Sequence, residues 1–217
     1  MLRTKARLRF SNGGSAAIDV QRLRLTTTNT AGSSMGVTST AAQTADSITS
    51  VSFQAASNTA ANQSRFTVGI RQNATNTAGY RVEALTDQAT AKLIKRVAGV
   101  DTVLGTFALP AAGTDTRVSI EAAGSTIRAK AWATNVSQPA AWGVSVTDTS
   151  ITAAGATQIR TDRVAGTNSV AIDNYRQRNT PAVALTPFVT NTYNADSQVT
   201  NEAMAGGSRA YTYTTGR

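Results

Sequence analysis

The chain of 217 residues has no cysteine and no histidine. The first absence excludes disulfide scaffolds, thiol nucleophiles and cysteine-ligated metals. The second removes the histidine general base, the Ser-His-Asp triad and the commonest metal ligand together. Only four prolines are present, aromatic residues make up 6% of the chain, and Asp and Glu number 12 against 21 Lys and Arg. The three glutamates, Glu83, Glu121 and Glu202, stand apart, none with a second carboxylate two residues on. A glycosidase needs two carboxylates facing across a cleft, so no catalytic residue is expected. Asp148 and Asp173 fall in turn or strand-end contexts, where bonding to the local backbone accounts for them. No run of about eighteen apolar residues occurs, so no membrane span is expected. The opening Met1 to Phe10 alternates charge with apolar residues and does not form the apolar block of a signal peptide.

What is abundant is Thr, Ala, Ser and Gly, with almost no stretch of helical period, and this points to an all-β fold. Phe66, Val68 and Ile70 share one face of a period-2 run, as do Tyr80, Val82 and Ala84, whose intervening Arg81 and Glu83 face water. Further strands are expected over 48–53, 91–97, 102–109, 117–121, 126–132, 143–146, 158–162 and 169–176, separated by turns rich in Gly, Asn and Asp. About ten short strands at near-regular spacing imply a sandwich or barrel.

The succession Gly79-Tyr-Arg-Val, Lys92-Leu-Ile-Lys-Arg, Thr102-Val-Leu-Gly-Thr, Arg117-Val-Ser-Ile, Gly124 to Trp132, Pro139-Ala-Ala-Trp142 and Val170-Ala-Ile-Asp-Asn-Tyr175 resembles the LamG-like jelly rolls of the concanavalin A superfamily. The resemblance covers about residues 37 to 178. It implies an antiparallel jelly-roll β-sandwich with two sheets packed face to face, and a domain that binds sugars or protein surfaces more often than it catalyses. Some relatives bind calcium through converging loop oxygens, but no Asp-rich loop is present to supply them, and no metal or cofactor is expected.

Tyr193 to Arg217 reads as one and a half copies of a short β-repeat, with a polar turn at 194–197, a turn at Gly206-Gly207, and Tyr193 returning as Tyr213. It resembles the RHS/YD repeats, departing from them at Ser197 in place of glycine and at Thr214 in place of aspartate. By that resemblance residues 188–217 begin a repeat array as a short C-terminal β-hairpin arm, and the chain is a piece of a larger secreted or surface-attached bacterial protein, with other domains of that protein as partners. Residues 1–30 form an N-terminal hairpin. Leu8 to Asp19 echoes Ile159 to Asp173, so the hairpin is either the end of a preceding, similar domain or the opening strands of this one.

A net charge of +9 raises the question of nucleic acid. Arg3, Lys5, Arg7 and Arg9 form a cationic stripe, but no nucleic-acid-binding signature accompanies them, and a solvated strand face accounts for the stripe. A glycan or cell-surface polymer is the expected partner. The candidate ligand-binding residues are Arg128, Lys130 and Trp132, which alternation turns outward while Ile127, Ala129 and Ala131 turn in. An aromatic ring beside two cations can stack on a sugar ring and bond its hydroxyls. Alternatively Trp132 is covered by the loop from Ser137 to Trp142. Trp142, in parity with Val144 and Val146, is expected in the core. The functional expectation is a non-catalytic recognition or spacer module; the alternatives are a phage virion structural protein and the carbohydrate-binding module of a secreted glycosidase.

Overall fold

In the computed structural model the described residues are 6–11, 13–19, 22–39, 43–179, 189–193, 199–204 and 207–210, with side chains described over 13–18, 22–39 and 43–179. The chain divides into two compact units, Met1–Pro181 and Ala182–Arg217.

The first unit is an antiparallel jelly-roll sandwich of two seven-stranded sheets. The first sheet runs β1 (Ala6–Ser11), β4 (Ser34–Ser39), β13 (Ala156–Arg163), β6 (Ser64–Gln72), β7 (Gly79–Leu85), β8 (Thr90–Val97) and β9 (Val100–Ala108). The second runs β12 (Val144–Thr147), β11 (Thr126–Ala133), β10 (Thr116–Ala123), β5 (Ser47–Ala55), β14 (Asn168–Asn179), β3 (Arg22–Thr27) and β2 (Gly14–Asp19). Residues 1–30 thus contribute strands to both sheets. The second unit is a three-stranded antiparallel meander of β15 (Val189–Tyr193), β16 (Val199–Met204) and β17 (Gly207–Ala210). Tyr213 and the end of the repeat-like motif lie outside the described residues, as do the side chains of the Arg3 to Arg9 stripe.

Alternation sorts the side chains as the sequence implies. Phe66, Val68, Ile70, Tyr80, Val82 and Ala84 of the first sheet are fully buried against Val51, Val118, Ile120, Ala122 and Ile127 of the second. Phe53 and Phe66 stack across the interface with ring centres 4.1 Å apart. Each fully buried Val, Ile or Phe contributes about 1.5–3 kcal/mol, so these inward faces carry the fold. At one margin the sheets approach closely: a Cβ on Gly105 of β9 would lie 2.7 Å from Val144 Cγ2, and one on Gly143 would lie 2.9 Å from Phe107 Cβ. Glycine is required where β9 meets β12.

One end of the sandwich is closed by buried polar groups. Arg71, at the end of β6, has a side chain 1% exposed. Its guanidinium donates to Ala45 O at 2.7 Å, to Gly124 O at 2.8 Å, to Asp46 Oδ1 at 3.2 Å and to Ile151 O. It thereby ties β6 to the start of β5, to the β10–β11 turn and to the segment after β12. Beside it, Tyr80 Oη donates to Asp148 Oδ1 at 2.6 Å, and Lys95 Nζ and Ser150 N donate to the same carboxylate at 2.7 and 2.8 Å.

The outer face of the first sheet is an alternating charge lattice. Arg65 and Arg81 lie 3.3 and 3.8 Å from Glu83, and Arg81 and Arg96 lie 2.6 and 2.9 Å from Asp101. Arg160 pairs with Asp162 at 2.6 Å.

Candidate functional site

The outer face of the second sheet is organised differently, and strand register shows how. Trp132 of β11 pairs with Arg117 of β10, which pairs with Ser52 of β5, which pairs with Asp173 of β14. The next row is Lys130, Ser119, Ser50 and Arg176, and the third is Arg128, Glu121, Ile48 and Arg178. Long cationic or aromatic side chains therefore stand along β11 and, in the second and third rows, along β14; between them lie Arg117 and Ser52, then Ser119 and Ser50, then Glu121 and Ile48. Neighbouring strands are about 4.8 Å apart, so these walls rise about 14 Å from one another. Within the trough an open groove of about 720 Å³ is lined by Trp132, Arg117, Ser52, Arg176 and Arg178, with Gln138 from the loop after β11.

Ser50, Ser52 and Ser119 form a polar strip across the first two rows, and Ile48 interrupts it in the third. Ser119 and Ser52 are buried, and the hydroxyls of Ser50 and Ser119 are hydrogen-bonded to each other. Ser52 Oγ is buried without a hydrogen-bond partner.

The wall on β14 exists because of a β-bulge. Asp173 opposes Ser52, yet Ser50 is opposed by Arg176 instead of residue 175. One extra residue has been inserted, with Asn174 in the left-handed region at φ 51°. Asn is among the residues that adopt this conformation most readily. Asp173 accepts from Asn174 N at 2.6 Å, and Arg117 Nη2 donates to Asn174 O at 3.1 Å, so the bulge is held from both sides. Its effect is to reverse parity. Tyr175 turns inward and packs against the core, while Arg176 and Arg178 emerge beside the serines.

Alternation placed Arg128, Lys130 and Trp132 on this outer face, and they stand there in a line. Their surroundings were only partly anticipated. Trp132 is 8% exposed and Lys130 5%. Lys130 Nζ donates to Pro139 O at 2.6 Å and lies 4.5 Å from the centre of the Trp142 ring and 6.0 Å from that of Trp132. Arg128 Cζ lies 4.6 Å from the Trp142 ring centre, and its Nε donates to Glu121 Oε2 at 2.7 Å. Burial pulls the Lys130 pKa down from its ordinary value, with the neighbouring Arg128 adding to the effect. Trp142 is therefore not in the core, as its parity with Val144 suggested. It belongs to the loop before β12, and strand parity does not extend through a loop. It caps the cation pair from outside, and Trp132 forms the groove margin.

Three of the groove cations have no carboxylate bound to them. Among the described residues, Arg117, Arg176 and Arg178 make no ion pair, and Arg176 and Arg178 are exposed. Burial lowers the Arg117 pKa, the like charge of Arg176 lowers it further, and Asp173 opposes the shift. Sequence reasoning missed all three arginines. The available signal was a pair of arginines at apparent core parity directly after Asp173-Asn174, an arrangement that only a parity change accommodates.

No protein-family model and no curated protein matches the sequence. Solved structures match by shape. The carbohydrate-binding module CBM66 from Bacillus subtilis superposes with a TM-score of 0.59 at 13% identity, over 79% of this chain and 95% of that one. The exoplasmic/lumenal domain of VIP36, in its form with Ca2+ and Man3GlcNAc, gives 0.59 at 11% identity over 83% and 88%. The binding domain of botulinum neurotoxin serotype D/C gives 0.55 at 7% identity, with 82% of this chain matching 45% of that chain. At such identities the likeness establishes the jelly-roll sandwich that these chains share.

Proposed function

We propose that this chain is a non-catalytic recognition module that binds carbohydrate in the trough on the outer face of its second sheet. The observation that carries this reading is the register, in which Ser50, Ser52 and Ser119 lie between β11 and β14 beside a groove lined by Trp132, Ser52, Gln138 and cationic side chains. Exposed Thr134 and Gln138 and half-buried Ser50 offer donors and acceptors to sugar hydroxyls, and the accessible edge of the Trp132 indole at the margin offers an apolar contact to a sugar ring. Arg128 and Lys130 act at the same margin by holding Trp142 and the 137–142 loop in place. The shared fold agrees with this reading, since one neighbour is by name a carbohydrate-binding module and another was solved with a mannose-containing glycan.

For the wider setting we propose a module of a large secreted or surface-attached bacterial RHS-repeat protein, working outside the cell, on the resemblance of the C-terminal motif alone. Plugging the trough tests the binding reading. Ser50→Tyr replaces a floor hydroxyl with a large residue that suits a strand. It should abolish binding on a glycan array while leaving the folded β-sheet circular dichroism intact. A wild-type chain that binds no glycan, or a plugged chain that binds as well as wild type, refutes the proposal.

A further inference from the structure

The trough has an electrostatic character that a neutral sugar does not need. Arg117, Arg176 and Arg178 converge on one groove without a paired carboxylate among the described residues, although the opposite face of the sandwich pairs its arginines with Glu83, Asp101 and Asp162. The β14 bulge turns two of the three cations into this position, and Arg117 bonds the bulge backbone. Like charges brought together in a half-enclosed site repel one another, and a bound anion relieves that repulsion.

We propose that the ligand of the trough is a polyanionic glycan, carrying carboxylate or sulfate groups, with Arg117, Arg176 and Arg178 gripping the acid groups and Gln138 and the edge of Trp132 contacting the sugar. This rests on the carbohydrate reading above and adds the ligand's chemical class. Arg176 and Arg178 lie two residues apart on one strand face, about 6.7 Å along the strand, so they meet successive acid groups and not one. Guanidinium groups bind carboxylate and sulfate oxygens in bidentate geometry, which gives the interaction direction as well as strength. Ser52 lines the same groove beside Arg117, with its hydroxyl buried and without a hydrogen-bond partner.

The test is titration of the intact chain with heparin, polygalacturonate and neutral dextran, alongside single-stranded DNA as a non-sugar polyanion. The two acidic polysaccharides should bind, dextran should not, and affinity should fall steeply as ionic strength rises from about 0.01 M to about 1 M. Arg176→Gln and Arg178→Gln should each weaken binding about tenfold, the factor that one charge-assisted hydrogen bond supplies. Lys92→Gln, on the other sheet, removes the same charge and should leave binding unchanged. Dextran binding that both arginine variants retain would overturn the anionic assignment and leave the carbohydrate reading standing. No binding to any polysaccharide would overturn both. DNA binding as tight as heparin binding, with the same response to both variants, would overturn the glycan assignment in favour of a general polyanion surface.

Discussion

Arg71→Met removes the guanidinium that closes one end of the sandwich and keeps an apolar stem of similar length. Four hydrogen bonds vanish with it, leaving the carbonyls of Ala45, Gly124 and Ile151 without this donor. Among the described residues, the Asp46 carboxylate keeps its bond from Gly124 N, at 2.8 Å. An orphaned buried acceptor costs about 1–3 kcal/mol, and removing one partner of a buried ion pair costs about 3–5 kcal/mol. These losses overlap, because they fall on one cluster, so the expected destabilisation is about 3–5 kcal/mol in total. For a unit of this size that lowers the melting temperature by about 6–20 °C. Urea denaturation followed by circular dichroism measures it, with an unchanged m-value showing that the loss lies in the native state. Arg71→Lys, which restores charge without the fork, should fall between the two. A loss below about 1 kcal/mol for Arg71→Met would show that the end of the sandwich holds without this clamp.

Gly155→Ala should be disruptive, by about 3 kcal/mol or more, because its Cβ would lie 2.5 Å from the backbone carbon of Arg71; a melting curve within error of wild type would contradict the packing. Ala98 occupies the left-handed region at φ 51° in the two-residue turn between β8 and β9, so Ala98→Asn should raise stability by about 0.5–1 kcal/mol in the same measurement. Stability should be flat from about pH 5.5 to 8, since neither histidine nor cysteine is present to titrate. Burial would raise the Asp148 pKa, but the hydrogen bonds from Lys95, Tyr80 and Ser150 outweigh it and hold the group below the usual carboxylate range. Stability from ionised Asp148 is thus present above about pH 4 and lost as pH falls further, and Asp148→Asn should lack that acid limb. Burial and the bond to Asp148 push Tyr80 up to about 12; its contribution is complete below about pH 10, fades as pH rises from there, and should disappear from pH-dependent unfolding in Tyr80→Phe. Trp132 and Trp142 are the only tryptophans, so ligand binding in the trough should alter intrinsic emission, and Trp142→Phe should preserve part of that change through Trp132.

Strands were legible wherever one face is buried and the other wet. Tyr80 to Ala84 read correctly from alternation, because water on one side and core on the other impose period 2; Thr126 to Trp132 read correctly as a strand with its two faces, but its outward Lys130 and Trp132 are buried. β4, Ser-Met-Gly-Val-Thr-Ser, has no such contrast. It lies between β1 and β13, and four of its six residues are buried regardless of parity. The β14 bulge was hidden for a different reason: one inserted residue changes register without altering composition, and its mark is a left-handed φ, a backbone property. The candidate triplet was legible as a face. The capping of its cations by Trp142 and the opposing arginine wall depend on a loop path and on β14 lying two strands from β10, and neither is encoded within a single strand.

The paired lattice of Arg65, Arg81, Arg96 and Arg160 on the first sheet gives the sandwich two unequal sides. There the positive charges are answered within a few ångströms, so that face projects little field beyond the Debye length of about 8–10 Å. The trough projects more, because among the described residues three of its cations have no ion-pair partner. Approaching an acidic polymer, the domain experiences a torque as well as an attraction, and it arrives with the groove already turned toward the chain. Orientation, ordinarily lost in random collisions, becomes part of the capture rate. Neutralising Glu83 or Asp101 would give the back of the domain a field of its own, slowing productive encounter without touching a single residue of the groove.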